Sequence, residues 1–252
     1  MMNSISQVYA EVGPMLARLL VILLTSTVIT MGATTHLAAA TLLSPGSAER
    51  LRQHVEPFGR QVSRLSSGEL FEKWRVIQRN LEADQAELMR CARDVERCAS
   101  EPALRFLAII EQAKAREGRA RFGEVNRAVN LAIYPISDLK QYGAVDVWTS
   151  PLTTLSTGKG DCEDYAIAKY AALRQSGVPA DDLRIVILRD LLRDEEHAVV
   201  SARLDGHWLI LDNRHMSLVE DQYIRNYEPL FVLDQNGVMY YHDARFIQTK
   251  WE

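Results

Sequence analysis

The sequence predicts an α+β protein. Helical periodicity fills its first half, short branched runs punctuated by turn signals fill much of its second, and a Gly-broken turn between them leads into a helix with a cysteine at its start. The chain has 252 residues, 47% of them hydrophobic and 25% charged, with a formal net charge of -4. That composition is ordinary for a globular protein and excludes a broadly basic nucleic-acid binder, so no nucleic-acid partner is expected.

At the N-terminus, Leu19 to Gly32 (LLVILLTSTVITMG) is apolar, with Arg18 before it and Ala38-Ala39-Ala40 after it. A positive start, an apolar core and small residues at a cleavage site make residues 1–40 a secretory signal peptide. The alternatives are a retained membrane anchor or a buried helix, although the run is short for a span. Export would start the mature chain near Thr41, in an oxidising compartment. Residues 41–68 carry Pro, Gly and Ser with little periodicity and are expected to form a tether or irregular arm. Residues 69–252 are read as one domain.

Within it, Leu70, Phe71, Trp74, Ile77 and Leu81 predict a helix over 69–83. Leu104, Leu107, Ala108 and Ile110 predict a second over 102–116, and Val125, Val129, Ala132 and Ile133 a third over 122–133, stopped by Pro135. Asn126 and Asn130 share a face of the third helix, exposed to solvent or bonded to an adjoining turn. Cys91 and Cys98 (CARDVERC) are either a disulfide or two reduced core thiols. Two turns of straight helix separate the sulfurs too far, so a bridge requires a break near Asp94 to Arg97. Cys162 is then the odd thiol, a liability in an oxidising compartment unless buried or used.

The segment GKGDCEDYAIAKYAALRQSG supplies its setting. Asp161 is a good N-cap, Asp164 three residues on completes a capping box with a shorter acid, and Gly177 and Pro179 end the helix. Cys162 therefore lies in the first turn, where free N–H groups and the helix dipole favour a thiolate. The carboxylates of Asp161, Glu163 and Asp164 oppose this by raising the thiol pKa. Either they supply oxygen ligands to Ca2+, or Asp161 and Asp164 only cap the helix while Glu163 faces water.

Leu183 to Leu188 (LRIVIL) reads as a buried strand. His197 to Leu204 and His207 to Leu211 form a hairpin about Asp205-Gly206. If Leu204 faces His207, Val199 faces Asp212, and His197 is a diagonal neighbour of Asp212 on the same face, their backbones roughly 7 to 8 Å apart. A thiol at a helix start and an imidazole beside a carboxylate are the set for nucleophilic catalysis: Cys162 attacks a carbonyl, His197 moves the proton, Asp212 orients the ring. His207, His215 and His242 are read as surface histidines. Trp148 either packs or lines the groove, and the Cys162 N–H is the expected oxyanion donor. Phe231 to Leu233 and Val238 to Tyr241, around Asn236-Gly237, extend the sheet.

Together YGAVDVWTSPLTTLSTGKGDCEDYAIAKYAAL, LRIVILRD, HAVVSARLDG and LILDN, within about Asn126 to Asn213, resemble the bacterial transglutaminase-like cysteine proteinases. The resemblance implies a papain-like or transglutaminase-like fold, helices packed on an antiparallel sheet, with Cys162, His197 and Asp212 as the triad. It implies Ca2+ near the catalytic helix, carried by Asp161 and Glu163, with Asp164 and Asp146 as further ligands. It also implies a periplasmic endopeptidase acting on a protein such as a surface adhesin, and an inner-membrane cyclic-di-GMP receptor as a regulatory partner. The CARDVERC pair and the long helical arm depart from the adhesin-cleaving members and leave substrate and receptor open. A transglutaminase or amidase acting on protein or cell-wall peptides, and a non-enzymatic binding module of the same fold, are the alternatives.

Overall fold

A computed structural model of the chain describes residues 55–244. The expected signal peptide and the start of the arm lie outside the described residues. Among the described residues no helix is long and apolar enough to cross a membrane.

The first helix, α1 (Glu69–Arg93), runs past the predicted 69–83 because its apolar face continues through Leu88 and Cys91. It stops at Asp94, and the chain turns back to join Cys98 to Cys91, with Cα atoms 4.9 Å apart. The expected break and the expected bridge therefore coincide. Ser100 then caps α2 (Glu101–Lys114), accepting the Ala103 N–H, with Pro102 in the first turn. Helix α3 (Gly118–Ala132) follows the third predicted stripe. Two short helices, α4 (Asp138–Tyr142) and α5 (Pro151–Thr157), lead to α6 (Cys162–Gln175).

Helix α6 is buried on almost every side, as its string of Ala, Ile, Leu and Tyr requires. One side packs on the sheet and the others on α2, α3 and α5. It ends as Gly177 and Pro179 predict: Gly177 takes a positive φ of 96°, its N–H meets the Arg174 carbonyl, and the Val178 N–H reaches Leu173.

The main sheet has seven antiparallel strands: β1 (Val62–Leu65), β4 (Leu183–Asp190), β5 (Glu195–Leu204), β6 (His207–Leu211), β7 (Val219–Glu220), β8 (Tyr227–Asp234) and β9 (Gly237–Tyr241). Their spatial order is β1-β9-β8-β4-β5-β6-β7. Strand β2 (Tyr134–Pro135) pairs in parallel with β3 (Lys159–Gly160) in a separate ribbon. Leu183, Ile185 and Ile187 of β4 join the core under the helices, while Val186 and Leu188 join a smaller core on the opposite face.

That second face corrects the expectation of an irregular arm. Val62–Leu65 is an edge strand on β9, and residues 55–58 are tied across the far face. Trp208 donates to the Val55 carbonyl and Tyr241 to that of Pro57. Four residues are too few for strand alternation to show above noise. The final hairpin also differs by one position: Asp234 faces Gly237, so Gln235 and Asn236 form the turn.

Candidate active site

The turn into α6 is held by small residues for steric reasons. Gly158 adopts the left-handed φ of 66° that ends α5. A Cβ on Gly160 would stand 2.7 Å from an Asp164 oxygen, so only glycine lets the helix start come this close. Asp164 is buried and accepts from the Thr149 N–H at 2.9 Å, the Thr149 hydroxyl at 2.7 Å and the Asp161 N–H at 3.4 Å. Those bonds include half of the capping box, whose other half runs from the Asp164 N–H to Asp161. Asp164 thus fixes the turn. Burial pushes its carboxyl up to about 7.

Across from this turn the hairpin has the register the sequence predicts, Leu204 facing His207, with Asp205 and Gly206 both at positive φ. His197 and Asp212 consequently meet: Nε2 lies 2.9 Å from the Asp212 Oδ1, both side chains essentially buried. Tyr227 donates to Oδ2 at 2.6 Å and the Arg214 N–H to Oδ1 at 2.9 Å. Although burial opposes it, these donors and the His197 charge hold the Asp212 carboxyl well below the usual carboxylate range. The Asn130 amide bonds the Asp212 carbonyl, and Asn126, fully buried, bonds those of His215 and Met216. These asparagines therefore shape the turn that carries Asp212, and solvent exposure is not their role. Arg214 ties the same turn to Asp190 and Glu195.

The other ring nitrogen of His197, Nδ1, is buried without a partner. His197 and Cys162 line one cleft of about 220 Å³, together with Trp148, Ile187 and Ala198. The Ala198 N–H points at the sulfur, and Glu163 Oε2 lies 3.0 Å from it. Burial first, and then the charges of Glu163 and Asp161, push the thiol well above its ordinary range. A wider groove of about 550 Å³ continues past Cys162 between Tyr134, Ser137 and Lys140 on one side and Glu195, Asn213 and Arg214 on the other. Trp148 is part of the cleft wall, its indole N–H bonded to Asp146 at 2.8 Å.

The acids around Cys162 separate into two kinds. Asp138, Asp161 and Glu163 bring one oxygen each to within 4.8 Å of one another. Asp161 Oδ1 and Asp138 Oδ1 are buried with no partner. Burial raises all three carboxyls, helped by the Asp161 charge at Asp138 and Glu163 and by the Asp146 charge at Asp161, with Asp138 reaching about 6 and Glu163 well above its ordinary value. Orphaned oxygens on crowded carboxylates fit a hard divalent cation. Asp164 and Asp146 are not in this group: Asp164 spends its lone pairs on Thr149 and the helix cap, and Asp146 pairs with Lys73 and Trp148.

The family model of the bacterial transglutaminase-like cysteine proteinases matches residues 84–232. The chain belongs to this family. No curated protein matches the sequence. Among solved structures, Legionella pneumophila LapG is similar at 23% identity, with a TM-score of 0.51 over 67% of this chain and 89% of that one. Its calcium-bound form gives 24% identity and a TM-score of 0.51 over 68% and 95%. At these identities the likeness establishes the fold, a transglutaminase-like cysteine protease fold of helices on an antiparallel sheet.

In this transglutaminase-like cysteine peptidase, then, the structure brings Cys162, His197 and Asp212 to one place and adds two residues that sequence reasoning missed. Tyr227 lies on β8, 15 residues after Asp212, on a strand that no turn rule ties to the His197 hairpin. Asp138 sits at the start of α4, 23 residues before Asp161, and bonds that residue only through its backbone N–H. A place in the first turn of a short helix was its sole signal, and acids are common there without binding a metal.

Proposed function

We propose that this peptidase is an endopeptidase that cuts a protein through a thioester intermediate, with Cys162 as nucleophile, His197 as proton carrier and Asp212 as the orienting acid. The observation that carries the reading is the buried His197–Asp212 bond, which occupies Nε2 and leaves Nδ1 unpartnered on a ring that lines the same cleft as Cys162. Sulfur attacks the scissile carbonyl as its proton passes to His197, and the Cys162 N–H, at the positive end of α6, stabilises the oxyanion. Imidazolium then gives its proton to the leaving amine. His197 next takes a proton from water, hydroxide attacks the thioester, and the thiol and a new carboxylate are released.

In this reading Asp138, Asp161 and Glu163 would hold Ca2+. The bound charge would neutralise carboxylates that otherwise keep the thiol protonated, and would brace the turn before α6. Calcium in the similar LapG structure supports this assignment. The family supports a protein substrate, and a surface adhesin is the specific candidate. A cleaved signal would deliver the enzyme to the periplasm, where an inner-membrane receptor would control access to the groove.

The test is iodoacetamide labelling of Cys162 at neutral pH, with calcium and with chelator, in the wild type and His197→Ala, followed by proteomic search for cut substrates. Fast labelling that needs both His197 and calcium is expected. Equal, slow labelling under all conditions would remove the proposal. Incorporation of an amine donor into the products would move the reading to acyl transfer.

A further inference from the structure

Between α4 and α5 the chain is pinned at three successive residues. Asp146 takes a left-handed φ of 60°, a conformation that aspartate tolerates better than most residues but that still needs holding. The hold is two-sided. Asp146 Oδ2 pairs with Lys73 of α1, which also pairs with Glu69 at 2.9 Å, and Oδ1 accepts the Trp148 indole N–H at 2.8 Å. Between the two, the Val147 N–H donates to Asp138. Lys73 and Asp146 are both half-buried, which sets their pair apart from loose surface bridges.

What these bonds aim is a wall of the cleft. Trp148 lines the cleft together with Cys162 and His197. A tryptophan beside a nucleophile can offer a substrate either its N–H or its ring. Here the N–H is bonded to Asp146, so the ring is the part left to meet the substrate. At about 220 Å³ the cleft is smaller than the roughly 300–1,000 Å³ of sites that hold a whole small molecule, and so suits one side chain of a polypeptide. Ile187 and Ala198 add apolar surface to its lining. Bonds that begin on α1 therefore set where one wall of that pocket stands.

We propose that Trp148 is a specificity-determining residue, the wall that limits which substrate side chain fits beside Cys162, and that Asp146 and Lys73 are positioning residues that fix its ring. The side chain that meets this ring, Ile187 and Ala198 is an apolar one. This inference rests on the peptidase reading above. It makes α1 part of the active site, although no α1 residue lines the cleft among the described residues.

The test is alkylation of Cys162, the free cysteine, in calcium-loaded protein by two reagents, iodoacetamide and the bulky fluorescein iodoacetamide, each rate taken relative to glutathione. Dividing one rate by the other cancels any change in the thiol itself and leaves the effect of the wall. In the wild type the bulky reagent should be slower by about tenfold, the scale on which a pocket wall discriminates. Trp148→Ala should bring the ratio close to one. Lys73→Met and Asp146→Ala keep the ring but release it, and should narrow the ratio by about threefold. Asp146→Asn keeps an acceptor for the indole and should stay nearer the wild type. The indole N–H signal in NMR, assigned by its loss in Trp148→Phe, should shift and exchange faster with water in Asp146→Ala. A brace that only stabilises the fold would lower the melting temperature and leave the ratio in place. An unmoved ratio in Lys73→Met and Asp146→Ala, or an unmoved indole signal in Asp146→Ala, would overturn the inference. Lys73→Met alone decides it if Asp146→Ala does not fold. Labelling that does not need His197 would sink the peptidase reading even if the ratio moved, so the two failures are distinct.

Discussion

Two buried acidic sites meet at Cys162, and they are opposites. Asp212 receives donors from His197, Tyr227 and Arg214 and is held ionised, well below the usual carboxylate range. Asp138, Asp161 and Glu163 crowd together, two of their oxygens orphaned, and all three are pushed up. Burial is common to both sites, so burial does not decide the protonation state. The donors do: the protein completes the first site from its own groups, whereas the second keeps orphaned oxygens that fit a cation.

The strongest way to break this comparison is at the finished site. His197→Ala should slow labelling of Cys162 at neutral pH by about 100-fold or more, the scale of general-base assistance, measured by mass spectrometry over time. Asp212→Ala removes the acceptor that His197 and Tyr227 share. It should cost about 3–5 kcal/mol in urea unfolding, as for other broken buried pairs. A cost near zero would mean that the pair is not held as described.

Sharpening comes from pH, because the two sites work in opposite directions. Asp212 has a lowered folded pKa, so its contribution is full above the ordinary carboxylate range and is lost as pH falls below it. Asp138 has a raised folded pKa of about 6, so the folded state binds its proton more tightly than the unfolded chain does. Calcium-free protein should therefore lose stability as pH rises from about 4 to about 6. Calcium should restore it over the same window, by about 2.7 kcal/mol at a hundredfold excess over the dissociation constant. Thermal melts across pH, with calcium and with chelator, check both. Glu163→Gln should abolish most of the calcium response.

A smaller effect isolates one donor. Tyr227→Phe deletes a bond to a buried carboxylate and should cost about 1–3 kcal/mol while labelling stays within about tenfold of wild type. Loss as large as in His197→Ala would make Tyr227 a participant in proton transfer.

The difference between the sites also marks what was legible in the sequence. His197 and Asp212 were readable as neighbours because a two-residue turn and the period of a strand fix which side chains share a face. The acid cluster has no such local rule. Asp161 and Glu163 were visible in GDCED, but Asp138 arrives through tertiary packing. The resemblance offers Asp164 and Asp146 as further ligands, and the partners that occupy them instead, Thr149 and Lys73, lie 15 and 73 residues away in the sequence. The helices were legible in kind, and α1 alone runs well past its expected end. Edge strand β1 was hidden because four residues carry too little pattern.

The Asp205-Gly206 turn has a consequence for the chemistry at the far end of its hairpin. Strand positions alternate between two faces, so a one-residue slip of β5 against β6 would turn His197 and Asp212 to opposite faces. Two residues at positive φ, one of them an aspartate, therefore hold the register on which the pair depends.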